Sequence, residues 1–392
     1  MLYPQVKLNI NGLKNFLRGH LWLTQKDLEN PDKIKEIPSG SLVSIYSPEG
    51  YFLAQAYFNP HSYYAIKILT KEKIKIDVSF FYHKFKEALS LRKKLYPQER
   101  CFRLIHAEGD YLPGLIIDIY EDLAIVQIYT QGMEKLKEYI HEALIKALPL
   151  KYIIYKNNFE KRKEEDLPLY IECYPKEPED PYLVEIDSIK FLIPIKEGQK
   201  TGFFLDQRDN RRLIRKISRE SVIIDAFSYI GGFSFYALKG KARKAILIDR
   251  STKALNLALE IAKLNGWKEK ILPIEGDVFK VLKDFKVEGD ILILDPPAFI
   301  KSKQDLAKGK EKYKALYHLG LNFFSEKEGS LFLFSCSHFL TLIEMKHIIE
   351  ELVRKINKEI RFLKILQQSL DHPIHPIVEE TFYLKGLWVY IV

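Results

Sequence analysis

The chain has 392 residues, 47% hydrophobic and 29% charged, and no apolar run approaches the ~20 residues a membrane span needs, so it is expected to be a globular protein of two or three domains. Lys plus Arg exceed Asp plus Glu by 61 to 52, a formal charge of +9 that favours a polyanionic partner. The three cysteines, Cys101, Cys173 and Cys336, are too few and too scattered for a disulfide framework or a paired metal site, and the opening "MLYPQVKLNINGLKNFLRGH" lacks the basic and apolar regions of a secretory signal, so a cytoplasmic location and no metal are expected.

From Val6 to about Asp77 short β-like runs, "SLVSIYS", "YFLAQAYF" and "YYAIKIL", alternate with the turn residues Pro38, Gly40, Pro48, Gly50 and Pro60, which predicts a small barrel. A helix-like stretch carrying Arg18, His20 and Trp22 precedes them. On a small barrel this basic and aromatic cluster reads either as an RNA contact or as a solvated face with Trp22 in the core.

A second segment opens with the amphipathic "FFYHKFKEALSLRKKLY" and runs to the charged, proline-containing "YPKEPEDPY" at 174–182, a domain boundary. Within it "CFRLIHAEGDYLPGLIIDIYEDLAIVQIYT" predicts two strands around a Gly and Pro turn, and "GMEKLKEYIHEALIKAL" a helix. After residue 183 the hairpin-like "YLVEIDSIKFLIPI" is followed by strands and helices in alternation: "SVIIDAF", a helix from Phe233, "AILIDR", a helix from Lys253, "DILILDPP" and "LFLFSCS". Such alternation predicts a parallel sheet with helices on both faces.

Chemistry-bearing residues gather at the ends of these strands. Asp225 ends the first, and Gly231 with Gly232 open the next helix, where backbone approaches a ligand closely. Phe227 and Tyr229 stand where a dinucleotide fingerprint has its first glycines. Asp249 ends the second strand at roughly the 20-residue spacing at which an acid meets ribose hydroxyls, so the two turns together favour an adenosine ligand. Asp277 reads as an acceptor for an adenine amino group, as a helix N-cap, or as both. Asp295 is delivered by an apolar strand to a loop stiffened by Pro296 and Pro297. Cys336 ends the following strand, either as a small core residue or as a nucleophile.

The ordered set "RLIHAEGDYLPGLIIDIY" (103–120), "GQKTGFFLDQRDNR" (198–211), "DAFSYIGGFS" (225–234), "DPPAF" (295–299), "SCSH" (335–338) and "DHPIHPIVEETFYLK" (371–385) resembles the class I S-adenosylmethionine-dependent methyltransferases, specifically the 23S ribosomal RNA cytosine-5 methyltransferases with an N-terminal PUA domain. The match spans nearly the whole chain. The resemblance implies a PUA-like RNA-binding β-barrel at 1–75, an α+β middle domain at 76–183, and a Rossmann-like α/β methyltransferase domain at 184–392 with a largely parallel seven-stranded sheet. It implies S-adenosyl-L-methionine as cofactor and 23S ribosomal RNA as partner, with no membrane; a homodimer stays an open alternative.

By the same resemblance Phe204, Asp206 and Arg208 lie beside the methionine portion of the cofactor, and Asp225, Phe227, Tyr229, Gly231, Gly232, Asp249, Arg250, Asp277, Asp295 and Pro296 complete its site. Cys336 is then the nucleophile and Asp295 the carboxylate near the pyrimidine N3. Many RNA cytosine-5 methyltransferases carry a second cysteine where this chain has Ala298, so release and removal of the C5 proton have no assigned group here, with His338 one candidate base. Lys301, Lys303, Lys308, Lys310, Lys312 and Lys314 read as RNA-steering charges or as a solvated helix face. His372 and His375 lack further ligands at metal spacing and read as part of a rigid loop. Two alternatives remain: methylation of a guanine, which needs no cysteine, and a catalytically silent RNA-binding assembly factor.

Overall fold

Apolar runs become strands and turn residues become their limits over most of the chain. The computed structural model describes residues 3–34, 36–284, 288–354 and 358–392 and divides the chain into two units. The first holds residues 1–186, 193–205 and 370–381, and the second 187–192, 206–369 and 382–392.

In the first unit a five-stranded sheet runs in the order Gln5–Lys7, Ser41–Tyr46, Phe52–Phe58, Ile66–Thr70 and Trp22–Leu23, antiparallel except for its first pair. Val6, Val43, Ile45, Ala54, Phe58, Ile66 and Ile68 form its core. The predicted helix is shorter than expected: it spans Ile10–Leu17, Arg18 caps it, and Gly19 at φ +91 turns the chain away. His20 and Trp22 therefore lie beyond it. Trp22 is half-buried, donates Nε1–H to Glu108 at 3.2 Å and packs its ring 4.8 Å from that of Tyr64.

A second five-stranded sheet follows in the order Tyr170–Tyr174, Tyr152–Asn157, Leu123–Ile128, Leu115–Tyr120 and Cys101–His106. Where two strands were expected between Cys101 and Thr130 there are three, because Glu121 at φ +59 and Asp122 form a tight turn that closes a hairpin with Tyr120 opposite Leu123. That turn contains neither glycine nor proline, so no punctuation marks it. The expected helix after it is two helices, Gln131–Lys135 and Lys137–Ala147, separated at Leu136. The long helix Val78–Leu95, capped by the Asp77 carboxylate, buries Phe80, Phe81, Phe85, Ala88 and Leu89 with Leu104, Ile117, Ile119, Val126 and Ile140. Tyr57, Leu69 and Ile76 join this same core.

The predicted hairpin forms from Tyr182–Ile186 and Ile189–Ile193. The second unit is built on a seven-stranded sheet in the order Ile271–Glu275, Lys244–Asp249, Val222–Ala226, Ile291–Leu294, Gly329–Ser335, Lys385–Ile391 and Ile360–Gln367. The first five are parallel, and Lys385–Ile391 runs antiparallel to both neighbours. Central strands buried on both faces read as unbroken apolar sequence, which is why "VIID", "ILID" and "ILIL" stood out. Strand order reverses at Val222–Ala226, and ligands of such sheets bind outside the carboxyl ends at that point. No helix among the described residues is long and apolar enough to cross a membrane.

Candidate active site

The first loop at the reversal point is held in an unusual backbone conformation. Phe227, Tyr229 and Gly231 have φ of +63, +50 and +82. For the two aromatic residues this costs on the order of 1–3 kcal/mol each and persists only where neighbours enforce it. They do: Ser228 N–H bonds the Ile248 carbonyl at 3.1 Å, Gly231 N–H the Ser228 carbonyl at 2.8 Å, and Tyr229 N–H the Asp249 carboxylate at 2.8 Å. Ser228 Oγ is buried in this loop with no protein partner among the described residues, an open hydrogen-bonding position of the kind a polar ligand fills.

Asp225 is fully buried and accepts hydrogen bonds from the Ser234 N–H at 3.1 Å and hydroxyl at 2.8 Å, at the start of helix Gly232–Lys239. Burial pushes its pKa up to about 7; the Asp295 charge adds to the rise, while the Ser234 bonds and the Arg211 guanidinium oppose it. Gly232 leaves room for Arg211, since a Cβ there would stand 2.8 Å from Nε. Asp249 accepts from Tyr229 N–H through one oxygen and from Ser251 N–H at 2.9 Å through the other. Each carboxylate oxygen has two lone pairs, so Asp249 retains acceptor capacity for a pair of hydroxyls. Asp277 accepts from Lys280 N–H at 3.2 Å, the N-cap geometry, and pairs with the exposed Arg250. An acceptor-rich rim beside a turned backbone and an orphaned hydroxyl fits the adenosine end of S-adenosylmethionine.

Asp295 and Pro296 leave the Ile291–Leu294 strand, whose Leu294 pairs with Leu333 of the parallel Gly329–Ser335 strand. Gln207 donates its amide to Asp295 at 3.0 Å. Cys336, half-buried, places Sγ 4.0 Å from the Pro296 carbonyl oxygen. Both its neighbours are pinned. Tyr313 OH lies 2.8 Å from Ser337 Oγ and 3.0 Å from Ser335 Oγ, and Ile300 N–H donates to Ser337 Oγ at 3.2 Å.

Asp206 is buried, with its carboxylate taking the Tyr383 hydroxyl at 2.6 Å and its carbonyl the Ser369 N–H at 2.8 Å; Arg208, buried, opens helix Arg208–Ile217. Phe204 counts with the first unit, where the Lys200 ammonium lies 5.1 Å from its ring centre. His338 is exposed. Among the loop lysines, Lys310 pairs with Glu344 at 2.5 Å, Lys314 with Glu351 at 2.7 Å, and Lys312 sits over the Phe299 ring, which favours a helix face over RNA-steering charges for these three. His372 is buried against Asp371 at 3.0 Å and His375 Nδ1 accepts from backbone N–H groups, and no metal-holding cluster exists among the described residues. Gln207, Ser228 and Tyr313 had no individual signal in the sequence, although the first two lie inside the quoted motifs.

A model of the PUA-like domain matches residues 6–71, and one of the S-adenosylmethionine-dependent methyltransferases matches residues 164–381. Ribosomal RNA large subunit methyltransferase I of Vibrio cholerae is 33% identical over 397 residues, covering 98% of both chains, and that of Aeromonas salmonicida 34% identical over 385 residues, covering 96% of both. A solved methyltransferase complexed with SAH shares the fold at a TM-score of 0.82 and 22% identity over 100% of both chains. A SAM-dependent methyltransferase from Streptococcus mutans does so at 0.81 and 22%, over 99% of this chain and 100% of that one. With a family model covering over half its length and relatives at 33% identity across nearly all of it, the chain belongs to the S-adenosylmethionine-dependent methyltransferases, carries a PUA-like domain at its N-terminus, and uses S-adenosylmethionine as methyl donor.

Proposed function

We propose that the protein methylates C5 of a cytidine in large-subunit (23S) ribosomal RNA through a transient bond between Cys336 and C6 of the ring. The ribosomal substrate rests on the relatives, which are named for it, and the +9 charge suits that polyanion. The observation that carries the cytosine reading is the placement of Cys336 Sγ 4.0 Å from the carbonyl that follows Asp295, at the carboxyl ends of adjacent parallel strands. A guanine nitrogen would need a carboxylate there but no thiol.

Cytosine C5 is a weak nucleophile. Addition of the Cys336 thiolate at C6 makes the ring an enamine whose C5 carries the electron pair. Asp295, held by Gln207, takes a position near N3 and favours protonation there as charge develops. S-adenosylmethionine supplies an electrophilic methyl group on a cationic sulfur. A base then takes the C5 proton, His338 being the candidate, and the C5–H electron pair re-forms the C5–C6 double bond, breaks the C6–S bond and frees Cys336 as the thiolate.

Asp249 is assigned to the ribose hydroxyls, Asp277 to the adenine amino group, and Asp206 with Arg208 to the methionine portion. Residues 1–75 are read as the RNA-binding part, 76–183 as the middle domain and 184–392 as the transferase, acting in the cytoplasm. The test is nucleoside mass spectrometry of ribosomal RNA from cells with and without the gene, combined with trapping on RNA containing 5-fluorocytidine. Fluorine blocks loss of the C5 substituent, so the parent enzyme should remain covalently bound under denaturing electrophoresis and Cys336→Ser should not. An unchanged 5-methylcytidine content, or trapping by Cys336→Ser, defeats the reading.

A further inference from the structure

Lys385 begins the strand Lys385–Ile391, and its backbone lies opposite Ser335 in the antiparallel ladder. Its side chain is 4% exposed. The ammonium donates to the Ser337 carbonyl at 3.2 Å, so it spans the residues that flank Cys336. A buried ammonium is normally paired with an anion, because desolvation penalises the charge. Yet no carboxylate lies within ion-pair distance of Lys385 among the described residues. The centre of the Phe382 ring lies 5.7 Å from Nζ. Burial pulls the Lys385 pKa down, and charge on Cys336, then on Glu344, pushes it back up. Glu344 is already engaged by Lys310 at 2.5 Å. Tyr313 also faces the thiol, and burial keeps its phenol neutral. Asp295, before the Pro296 carbonyl that lies 4.0 Å from Sγ, and the exposed His338, two residues on, are the further titratable groups on the elements around Cys336.

We propose that Lys385 is the positioning residue for the Cys336 thiolate: its buried ammonium supplies the positive charge that favours the ionised thiol, and the thiolate is the anion Lys385 otherwise lacks. This rests on the covalent role proposed for Cys336 and explains how a thiol at a strand end is ready to add to C6 at neutral pH. Lys385 acts through Cys336 and is not assigned a proton transfer of its own.

The experiment follows the pH dependence of Cys336 alkylation in the full chain. Iodoacetamide is applied between about pH 6 and pH 10, and peptide-resolved mass spectrometry reads Cys336 apart from Cys101 and Cys173, because alkylation follows the thiolate fraction. Lys385→Gln keeps a donor for the Ser337 carbonyl but loses the charge, and should raise the half-alkylation pH by about 1–3, the usual effect of an adjacent opposite charge. Lys385→Arg keeps both and should stay near the parent. Calorimetric affinity for S-adenosylmethionine, unchanged in both variants, certifies the fold. A curve for Lys385→Gln that coincides with the parent, or an equal displacement in Lys385→Arg, overturns the proposal. A displaced curve in an enzyme that fails to trap 5-fluorocytidine RNA upholds the lysine–thiol pair and removes the cytosine reading; trapping with an undisplaced curve does the reverse.

Discussion

Gln207 donates its side-chain amide to the Asp295 carboxylate at 3.0 Å and accepts Asn210 Nδ2–H at 2.6 Å with its own oxygen, while Asn210 also donates to the Gln367 carbonyl at 3.0 Å. The carboxylate assigned to the pyrimidine is thus oriented from a helix start and a distant strand. A displacement of ~1 Å at a reacting group costs on the order of a hundredfold in rate. Gln207→Ala is therefore expected to lower kcat by roughly ten- to a hundredfold while the affinity for S-adenosylmethionine stays within about twofold. Single-turnover methylation and calorimetry check the two halves.

Asp249→Ala removes the carboxylate assigned above to the ribose hydroxyls and also the partner that holds Tyr229 N–H at positive φ. Cofactor affinity should fall by more than about tenfold, since a hydrogen bond to a charged group is worth roughly 1.5–3 kcal/mol. Affinity equal to the parent in calorimetry rejects the assignment.

Asp225 carries a pH signature. Its folded pKa is raised from 3.8 to about 7, so the folded state holds the proton more tightly than the unfolded chain does. The stability this contributes is complete below about pH 4 and is lost as pH rises through about 7. Each tenfold difference in proton affinity is worth ~1.4 kcal/mol, which makes the whole effect on the order of 4 kcal/mol. Asp225→Asn cannot ionise, so its denaturation midpoint should fall less than the parent's between about pH 4 and pH 7. Parallel curves for the two proteins would contradict the raised value.

Lys67 and Glu165 form a pair at 3.2 Å with side chains 9% exposed, and Glu165 also takes Asn59 Nδ2–H at 2.8 Å and Gln131 N–H at 3.2 Å. Glu165→Ala leaves the buried Lys67 ammonium without its carboxylate, held only by the Tyr64 carbonyl at 3.1 Å and the Ser62 hydroxyl at 3.4 Å, and removes the acceptor of the Asn59 amide, so it should destabilise the first unit by about 3–5 kcal/mol. Chemical denaturation measures this. Because Tyr57 and Leu69 belong to the core around helix Val78–Leu95, removal of residues 1–75 uncovers that core. Point substitutions are the sounder probe of RNA affinity.

The series of strands and the acids at their ends are legible in the chain alone. Buried parallel strands must be apolar throughout, so Asp225, Asp249 and Asp295 stand out as charges that no such strand tolerates in its middle. Cys336 is legible for the same reason, at the end of "LFLFS". Where a boundary has no marker, as at the Glu121–Asp122 turn or the break at Leu136, two elements read as one, because their limits come from ladder register and packing. The pairings Gln207 with Asp295, Tyr229 with Asp249 and Lys385 with Ser337 arise only in the folded molecule. They join residues far apart in the chain, and no local propensity or periodicity encodes which buried donor will meet which acceptor once the sheet has brought the strand ends together.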